Sequence, residues 1–561
     1  MSELRRRKRD DNLISKKRLL FMRGIFFFVL LALTTRLFYI QVIEHDFYNA
    51  EVIKQRQVNI PVSSGRGLIY DRNFIRLTDR TRKKTVAIFP QNFIVNENNI
   101  SLLRDITGRS YDELFNKVKN SKSVLEIPLV KELDWDDKNI INTKGLFIID
   151  KAMRYNENGF LNHVIGYISQ TDLKGMAGIE GALDGILTEN LSNSLIATLD
   201  GRKRFLPGEG YMEVSSIKKN QNLRLTIDFN IQKIIENAID EEKREGAVIV
   251  SDIQTGEILG MVSRPNFNPD NIQAHLKSKG DELYNKAIQM AFPPGSVFKI
   301  VVALEAMRQN PEYANEIFYC NGYELVGGLE IKCSSYEKGG HGEITMDRAF
   351  AESCNCAFIQ LAEKLGAENI INMAENLGFN KIVDIGIKEE DSGNLPEGDS
   401  LLGPAFGNIA IGQGEILVTP LQINQLTQLV ANDGLKKPLY IVKDIVDNNY
   451  IVLKTANAKE EKQVVDSEIA NQVKSWMEKV MTEGTGQRAE EMSYITAGKT
   501  GSAEGAEKGK EVVHAWFTGY YPSNEPKYAI TVFIQKGESG GGIAVPIFAE
   551  IVKEMINKGF K

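Results

Sequence analysis

The chain is short of positive charge, of cysteine and of long apolar runs, and each shortage excludes something. Its 68 Lys and Arg are outnumbered by 74 Asp and Glu, a formal net charge of −6 over 561 residues. Residues 1 to 18 alone hold eight Lys and Arg against Glu3, Asp10 and Asp11, a local balance of +5. With that tail and Arg23 and Arg36 set aside, the rest of the chain carries −13, which leaves no basic footprint for nucleic acid. Only four cysteines occur, and no two are spaced as a tight Cys-x-x-Cys. A single apolar run, Leu19 to Ile43, interrupted by Arg23, Arg36 and Gln41, has the length for one membrane crossing, which takes roughly 20 residues.

What is present begins with that run. The basic tail before it predicts a cytoplasmic N-terminus and an extracytoplasmic remainder, and Arg36 lies close enough to the outer end to snorkel toward the interface. No small-x-small cleavage site follows Ala32, and a buried core helix would not explain the basic flank. Residues 1–18 therefore read as a cytoplasmic tail and 19–43 as a transmembrane anchor. At 42% hydrophobic, the exterior part is long enough for more than one core.

Residues 44–220 read as mixed short strands and helices with no nucleophile motif. From Leu223 the pattern changes to a short alternating strand through Ile227, a helix over Phe229 to Glu241 and a hairpin over Gly246 to Ser263. A long helical middle follows. Strands return at Tyr494 to Ala497, Ala515 to Tyr520 and Tyr528 to Gln535, with an apolar helix from Pro546 to Ile556. Strands, then helices, then strands predict an α+β domain over 221–561, an antiparallel sheet packed with helices.

Three short motifs occur in order in that domain: Ser296-Val297-Phe298-Lys299 after Pro293-Pro294-Gly295, then Ser353-Cys354-Asn355, then Lys499-Thr500-Gly501. Pro-Pro-Gly breaks the preceding chain, so Ser296 is placed in the first turn of a helix and shares a face with Lys299 three residues on. A serine hydroxyl is a poor nucleophile until a neighbouring base takes its proton, and a buried lysine of lowered pKa is such a base. Ser-x-x-Lys recurs by chance on solvated helices, whereas the ordered set of three is specific.

With these motifs the chain resembles the class B penicillin-binding proteins. The resemblance extends to Gly65-Arg66-Gly67-Leu68-Ile69-Tyr70-Asp71-Arg72-Asn73, Gly178-Ile179-Glu180-Gly181, Ile411-Gly412-Gln413-Gly414 with Thr419-Pro420-Leu421-Gln422, Glu483-Gly484-Thr485-Gly486, and His514-Ala515-Trp516-Phe517-Thr518-Gly519. It implies a penicillin-binding/β-lactamase-like serine acyltransferase domain, with 44–220 as a non-catalytic, dimerisation-type pedestal in which the Arg66 and Tyr70-Asp71-Arg72 cluster is structural. It also implies a membrane-anchored D,D-transpeptidase that cross-links peptidoglycan stem peptides ending in D-Ala-D-Ala and is acylated by β-lactams. In that reading Ser296 attacks the carbonyl between the two D-alanines and Lys299 accepts its proton. Ser353 passes a proton to the departing amine, and Asn355 holds Lys299 and the peptide amide. Lys499 and Thr500 bind the substrate carboxylate, Gly501 allows close approach, and the N–H groups of Ser296 and Ser502 form the oxyanion hole. No cofactor is required for this transfer. No glycosyltransferase-like domain fits between residues 44 and 220, so the family implies a separate polytopic glycosyltransferase as partner.

The cysteines are the chain's own feature: Cys320, Cys333, Cys354 and Cys356 with His341 between them, around the second motif. Three readings stand: a Cys320–Cys333 disulfide, unpaired buried thiols, or a structural zinc on Cys320, Cys333, His341 and Cys356, with Glu343 or Asp347 replacing an absent ligand. Cys354, the middle residue of its motif, is expected to point away from the site. His163, His275 and His514 stand alone and read as structural.

Two rivals share the motifs. A β-lactamase or D,D-carboxypeptidase would hydrolyse the same acyl-enzyme. A class A β-lactamase would need a deacylating glutamate in Glu-x-x-Leu-Asn, and the nearest imitation, Glu368-Asn369-Ile370-Ile371-Asn372, reads as helix surface. A non-catalytic β-lactam sensor or scaffold would be expected to carry several spans and an intracellular effector domain.

Overall fold

In the computed structural model the residues described are 2–61, 66–90, 93–121, 124–130, 143–156, 158–169, 174–188, 191–198, 211–217, 221–403, 405–455, 460–507 and 510–561. They form two compact units that interleave along the sequence: Met1–Ser63, Lys83–Lys151 and Ser192–Ser216 make one, and Ser64–Arg82, Ala152–Leu191 and Ile217–Lys561 the other.

The first unit opens with a helix, Ser2–Phe38, continued by a π-helical turn, Tyr39–Ile43, and a second helix, His45–Arg56. An 18-residue window within Lys16–Ile43 has a mean hydropathy of 1.9, with none of that window buried. Further on, the strands Leu125–Pro128, Thr81–Ile88 and Leu146–Met153 form a sheet in that order. Val86, Ile88, Ile127 and Ile148 on it bury against Ile100, Leu103 and Leu114 of the helices Glu97–Thr107 and Tyr111–Asn120. Asn96 and Ser110 cap those helices with side-chain oxygens, supplying acceptors for otherwise unbonded N–H groups.

The second unit is built on a five-stranded antiparallel sheet in the order Ile258–Arg264, Gly246–Asp252, Tyr528–Ile534, Lys510–Tyr521, Ala497–Glu507. Alternation sends successive side chains to opposite faces. Ala515, Phe517, Ile530 and Val532 bury on one face with residues of the helices Phe229–Glu241 and Val545–Asn557. Trp516, Tyr520, Ala529 and Phe533 bury on the other with Lys299–Gln309, Asn355–Leu365, Pro420–Ala431 and Ser467–Thr482.

One expectation changes. The strand expected over Tyr494 to Ala497 begins only at Ala497 and runs through the third motif, while Gln487–Tyr494 forms 3₁₀ turns. Pairing in unbroken register from Ala497↔Tyr520 to Glu507↔Lys510 holds a glycine- and alanine-rich run that has little strand preference of its own. Residues 64–82 and 152–191 belong with the second unit. Ile69–Tyr70 pairs in parallel with Asn222–Leu225, and Glu180, fully buried, holds Arg66 at 2.7 Å and Arg154 at 2.6 Å. Arg66 also meets Asp184 at 2.8 Å, and Arg154 meets Asp79 at 2.8 Å. The conspicuous Arg66 and Glu180 motifs thus form one ion network inside this unit; Gly65 lies outside the described residues.

Candidate active site

Ser296 sits in a 3₁₀ turn, Gly295–Phe298, that runs straight into the helix starting at Lys299. The turn needs its glycine: Gly295 has φ +55°, and a Cβ there would lie 2.5 Å from the carbonyl oxygen of Ser502, a conformation and a contact that other residues do not accept. Gly295 N–H donates to the carbonyl of Gly412 at 2.8 Å, and the Trp516 indole donates to the carbonyl of Pro293 at 2.9 Å. Two family-like segments quoted for resemblance therefore act as braces for the Ser296 turn.

Lys299 is fully buried. Its Nζ donates to the Ser353 carbonyl at 2.7 Å and to Asn355 Oδ1 at 2.7 Å, with Ser353 Oγ at 3.3 Å. Burial pushes its pKa down to about 8, partly opposed by the thiols of Cys354, Cys333 and Cys356. A neutral lysine amine has two N–H donors and one lone pair. The two short bonds to carbonyl-type oxygens engage both donors, which leaves the lone pair free to accept a proton. Ser353 is held at φ +56°, an uncommon conformation for a residue with a Cβ that turns its carbonyl onto Lys299. Asn355 is oriented in turn because its Nδ2 donates to the Lys332 carbonyl at 2.8 Å.

The third motif lies on the edge strand of the sheet. Lys499 is fully buried, and its Nζ donates to the Thr500 carbonyl at 3.1 Å. Burial, and then the charge of nearby Lys299, depress its pKa well below the ordinary lysine value, so the two lysines resist being cationic together. A carboxylate arriving beside Lys499 would favour the protonated form. Gly501 closes the strand onto the Ser296 turn: a Cβ there would come within 2.9 Å of the Pro294 carbonyl and 3.0 Å of Val297. Ser502 is exposed, and its Oγ accepts from Gly540 N–H at 3.2 Å. Ser296, Lys299, Ser353, Asn355, Lys499, Thr500, Gly501 and Ser502 are brought together from three elements into one site.

All four cysteines are buried free thiols, so the Cys320–Cys333 disulfide is not formed. The ligand atoms of Cys320, Cys333, His341 and Cys354 lie within 4.8 Å of one another. Cys333 Sγ is 3.9 Å from Cys354 Sγ and 3.7 Å from His341 Nδ1. This corrects the expected set, in which Cys356 took the fourth place. Cys354 is the N-cap of the helix Asn355–Leu365 in extended conformation, and after the left-handed Ser353 its side chain turns inward, away from the groove and onto Cys333. Cys356 adjoins the set, its thiol raised in pKa by hydrogen bonds with Cys333 and Cys354. The same contacts, Cys354 first, hold the Cys333 thiol below its ordinary value. Neither Glu343 nor Asp347 substitutes: Glu343 is exposed, and Asp347 pairs with Lys479.

Sequence reasoning missed several participants. The Lys332 and Gly412 carbonyls are backbone groups with no residue-type signal. Phe358 and Phe350 lie under the two lysine ammonium groups, at 5.2 and 5.7 Å, and read in sequence as core. Thr485 stood inside a quoted motif without a role, yet its hydroxyl is 2.6 Å from that of Thr500. Glu368, in the nearest imitation of a deacylating-glutamate segment, is exposed on the helix Ala367–Leu377.

Residues 246–553 match the family described as Penicillin binding protein transpeptidase domain, and residues 61–196 match that described as Penicillin-binding Protein dimerisation domain. Stage V sporulation protein D of Bacillus subtilis is 28% identical over 551 residues, covering 94% of this chain and 83% of that protein. Peptidoglycan D,D-transpeptidase FtsI of Buchnera aphidicola is 26% identical over 562 residues, covering 95% and 94%. Among solved structures, the penicillin-binding protein PBP2 of Helicobacter pylori, determined in complex with MreC, superposes with a TM-score of 0.68 at 22% identity, covering 90% of this chain and 100% of that one. A transpeptidase-domain match over more than half the length, with the three motifs folded into one buried-lysine site, makes this chain a member of the class B penicillin-binding proteins.

Proposed function

We propose that Ser296 is the nucleophile with which this chain, a serine D-Ala-D-Ala transpeptidase, forms the acyl-enzyme that cross-links peptidoglycan stem peptides. The observation that carries this assignment is the pair of 2.7 Å bonds from Lys299 Nζ to Ser353 O and Asn355 Oδ1, which fix the buried amine beside the serine turn so that, when it is neutral, both donors are engaged and the lone pair can accept a proton. Ser296 Oγ attacks the carbonyl carbon between the two D-alanines as its proton passes to Lys299. The oxyanion is met by the backbone N–H groups of Ser296 and Ser502. The C–N bond then breaks, and the leaving D-alanine nitrogen takes a proton through Ser353. A stem-peptide amine attacks the ester in the second half, losing a proton by the same route. Lys499 and Thr500 hold the terminal carboxylate until it departs with the leaving D-alanine. β-Lactams, which the family binds, present the same carbonyl and carboxylate and stop at the ester.

The apolar helix Lys16–Ile43 anchors the chain as a single span, with the basic tail cytoplasmic and residues 44–561 outside, the pedestal over 44–220 lifting the transpeptidase domain over 221–561. As its family implies, the chain works beside a separate polytopic glycosyltransferase.

Zinc on Cys320, Cys333, His341 and Cys354 suits the donor set, and the Cys333 separations of 3.7 Å from His341 and 3.9 Å from Cys354 are close to the roughly 3.5–3.8 Å between tetrahedral zinc ligands. It would tie the strand Leu329–Lys332, whose last carbonyl orients Asn355, to the start of the motif helix. No step of acyl transfer passes through it.

Fluorescent penicillin tests the assignment: the exterior part should give a long-lived adduct on Ser296, and Ser296→Ala should give none. Full-stoichiometry labelling of another residue would refute it, and rapid turnover of the adduct would favour a β-lactamase.

A further inference from the structure

Glu483-Gly484-Thr485-Gly486 has no part in the acyl transfer described above, yet it lies between the second and third motifs. Thr485 N–H donates to the Ala351 carbonyl at 3.2 Å, two residues before Ser353. Gly484 makes this approach possible, since a Cβ there would fall 2.2 Å from the same oxygen. The Thr485 hydroxyl then has two neighbours, Ala351 O at 3.4 Å and Thr500 Oγ1 at 2.6 Å. Thr500 is buried, at 5% exposure, and Thr485 Oγ1 is the recorded partner of its hydroxyl.

Two hydroxyls sharing one hydrogen bond have two proton arrangements. In one, Thr500 donates to Thr485, which donates weakly to Ala351 O, and Thr500 then offers any incoming anion only lone pairs. In the other, Thr485 donates to Thr500, whose own proton is released toward the ligand. An approaching carboxylate selects the second arrangement, because a hydrogen bond to an ionised acceptor is about twice as strong as a neutral one and is polarised further by the donor behind it. The Thr485 contact to Ala351 O is long, at 3.4 Å, so turning the Thr485 proton onto Thr500 at 2.6 Å gives up little.

We propose that Thr485 is a positioning residue that sets Thr500 as a hydrogen-bond donor to the substrate's terminal carboxylate, and so couples carboxylate recognition to the segment carrying Ser353. This rests on the acyl-transfer reading of Ser296. No bond is made or broken at Thr485; one hydroxyl proton changes its direction.

The test compares acylation of the full chain in detergent by benzylpenicillin and by its methyl ester, which lacks the anionic oxygen. In Thr485→Val the acid should react about tenfold more slowly, the loss expected for one hydrogen bond to a charged group, while the ester changes by less than about twofold, so the acid-over-ester preference collapses. Thr485→Ser should restore that preference. Thr485→Ala supplies the same ratio if the valine variant does not fold, because acid and ester are compared within one protein. Equal slowing of acid and ester, or no slowing of either, would overturn the proposal. Absence of any adduct on Ser296 in the unaltered chain would instead refute the reading beneath it.

Discussion

The proposed division of labour between the two lysines predicts the pH dependence of acylation. Lys299 must be neutral to accept the Ser296 proton. With its pKa pushed down to about 8 from an ordinary 10.5, about a tenth of the molecules carry the neutral amine at pH 7, against about one in three thousand for an unperturbed lysine. Burial therefore raises the competent fraction about 300-fold, and general-base help contributes roughly 10²–10⁴-fold. The sign follows: the acylation rate constant at saturating β-lactam should rise with pH, about tenfold per unit below pH 7, and level off through about pH 8. Lys499 acts in the opposite sense, because it binds the carboxylate as a cation and burial makes that proton easier to lose, so apparent affinity weakens as pH rises. The second-order constant is then bell-shaped. Stopped-flow measurement at several concentrations separates the two limbs. Lys299→Ala should remove the rising limb and slow acylation by several orders of magnitude. A saturating rate constant that is flat or falls between pH 6 and 8 would refute Lys299 as the base.

Three further outcomes follow. Cys354→Ser should lower zinc content from about one per chain and lower the melting temperature, since structural zinc contributes folding free energy directly, whereas Cys356→Ser should retain metal; elemental analysis of protein purified without added metal decides it. Glu180→Ala should destabilise the second unit by roughly 3–5 kcal/mol, because it leaves buried Arg66 and Arg154 without their shared carboxylate; urea unfolding of the exterior part measures this, and an unchanged midpoint would count against the network. Removing residues 1–43 should give a water-soluble protein that still reacts with β-lactams. A folded but inert product would overturn the anchor as a mere tether.

What was legible in the sequence depended on the range of the interaction. Ser296 and Lys299 are three apart, so their shared location follows from helix geometry, and the alternation about Trp516 and Phe517 marks a strand buried on both faces. The strand carrying Lys499 was placed too early because Ala497–Glu507 has little intrinsic strand preference and takes its conformation from Lys510–Tyr521. The buried pairing of Arg66 with Glu180, 114 positions apart, has no local signature. The fourth cluster ligand failed for a more local reason: choosing between Cys354 and Cys356 requires the sign of one φ angle at Ser353, which residue type does not reveal. That same angle aims the Ser353 carbonyl at Lys299. One left-handed residue thus orients two opposed surfaces of the motif, Ser353 and Asn355 toward the groove and Cys354 toward the core. A change that relaxed Ser353 would be felt in both, so thiol accessibility and Lys299 basicity should shift together when that turn is altered.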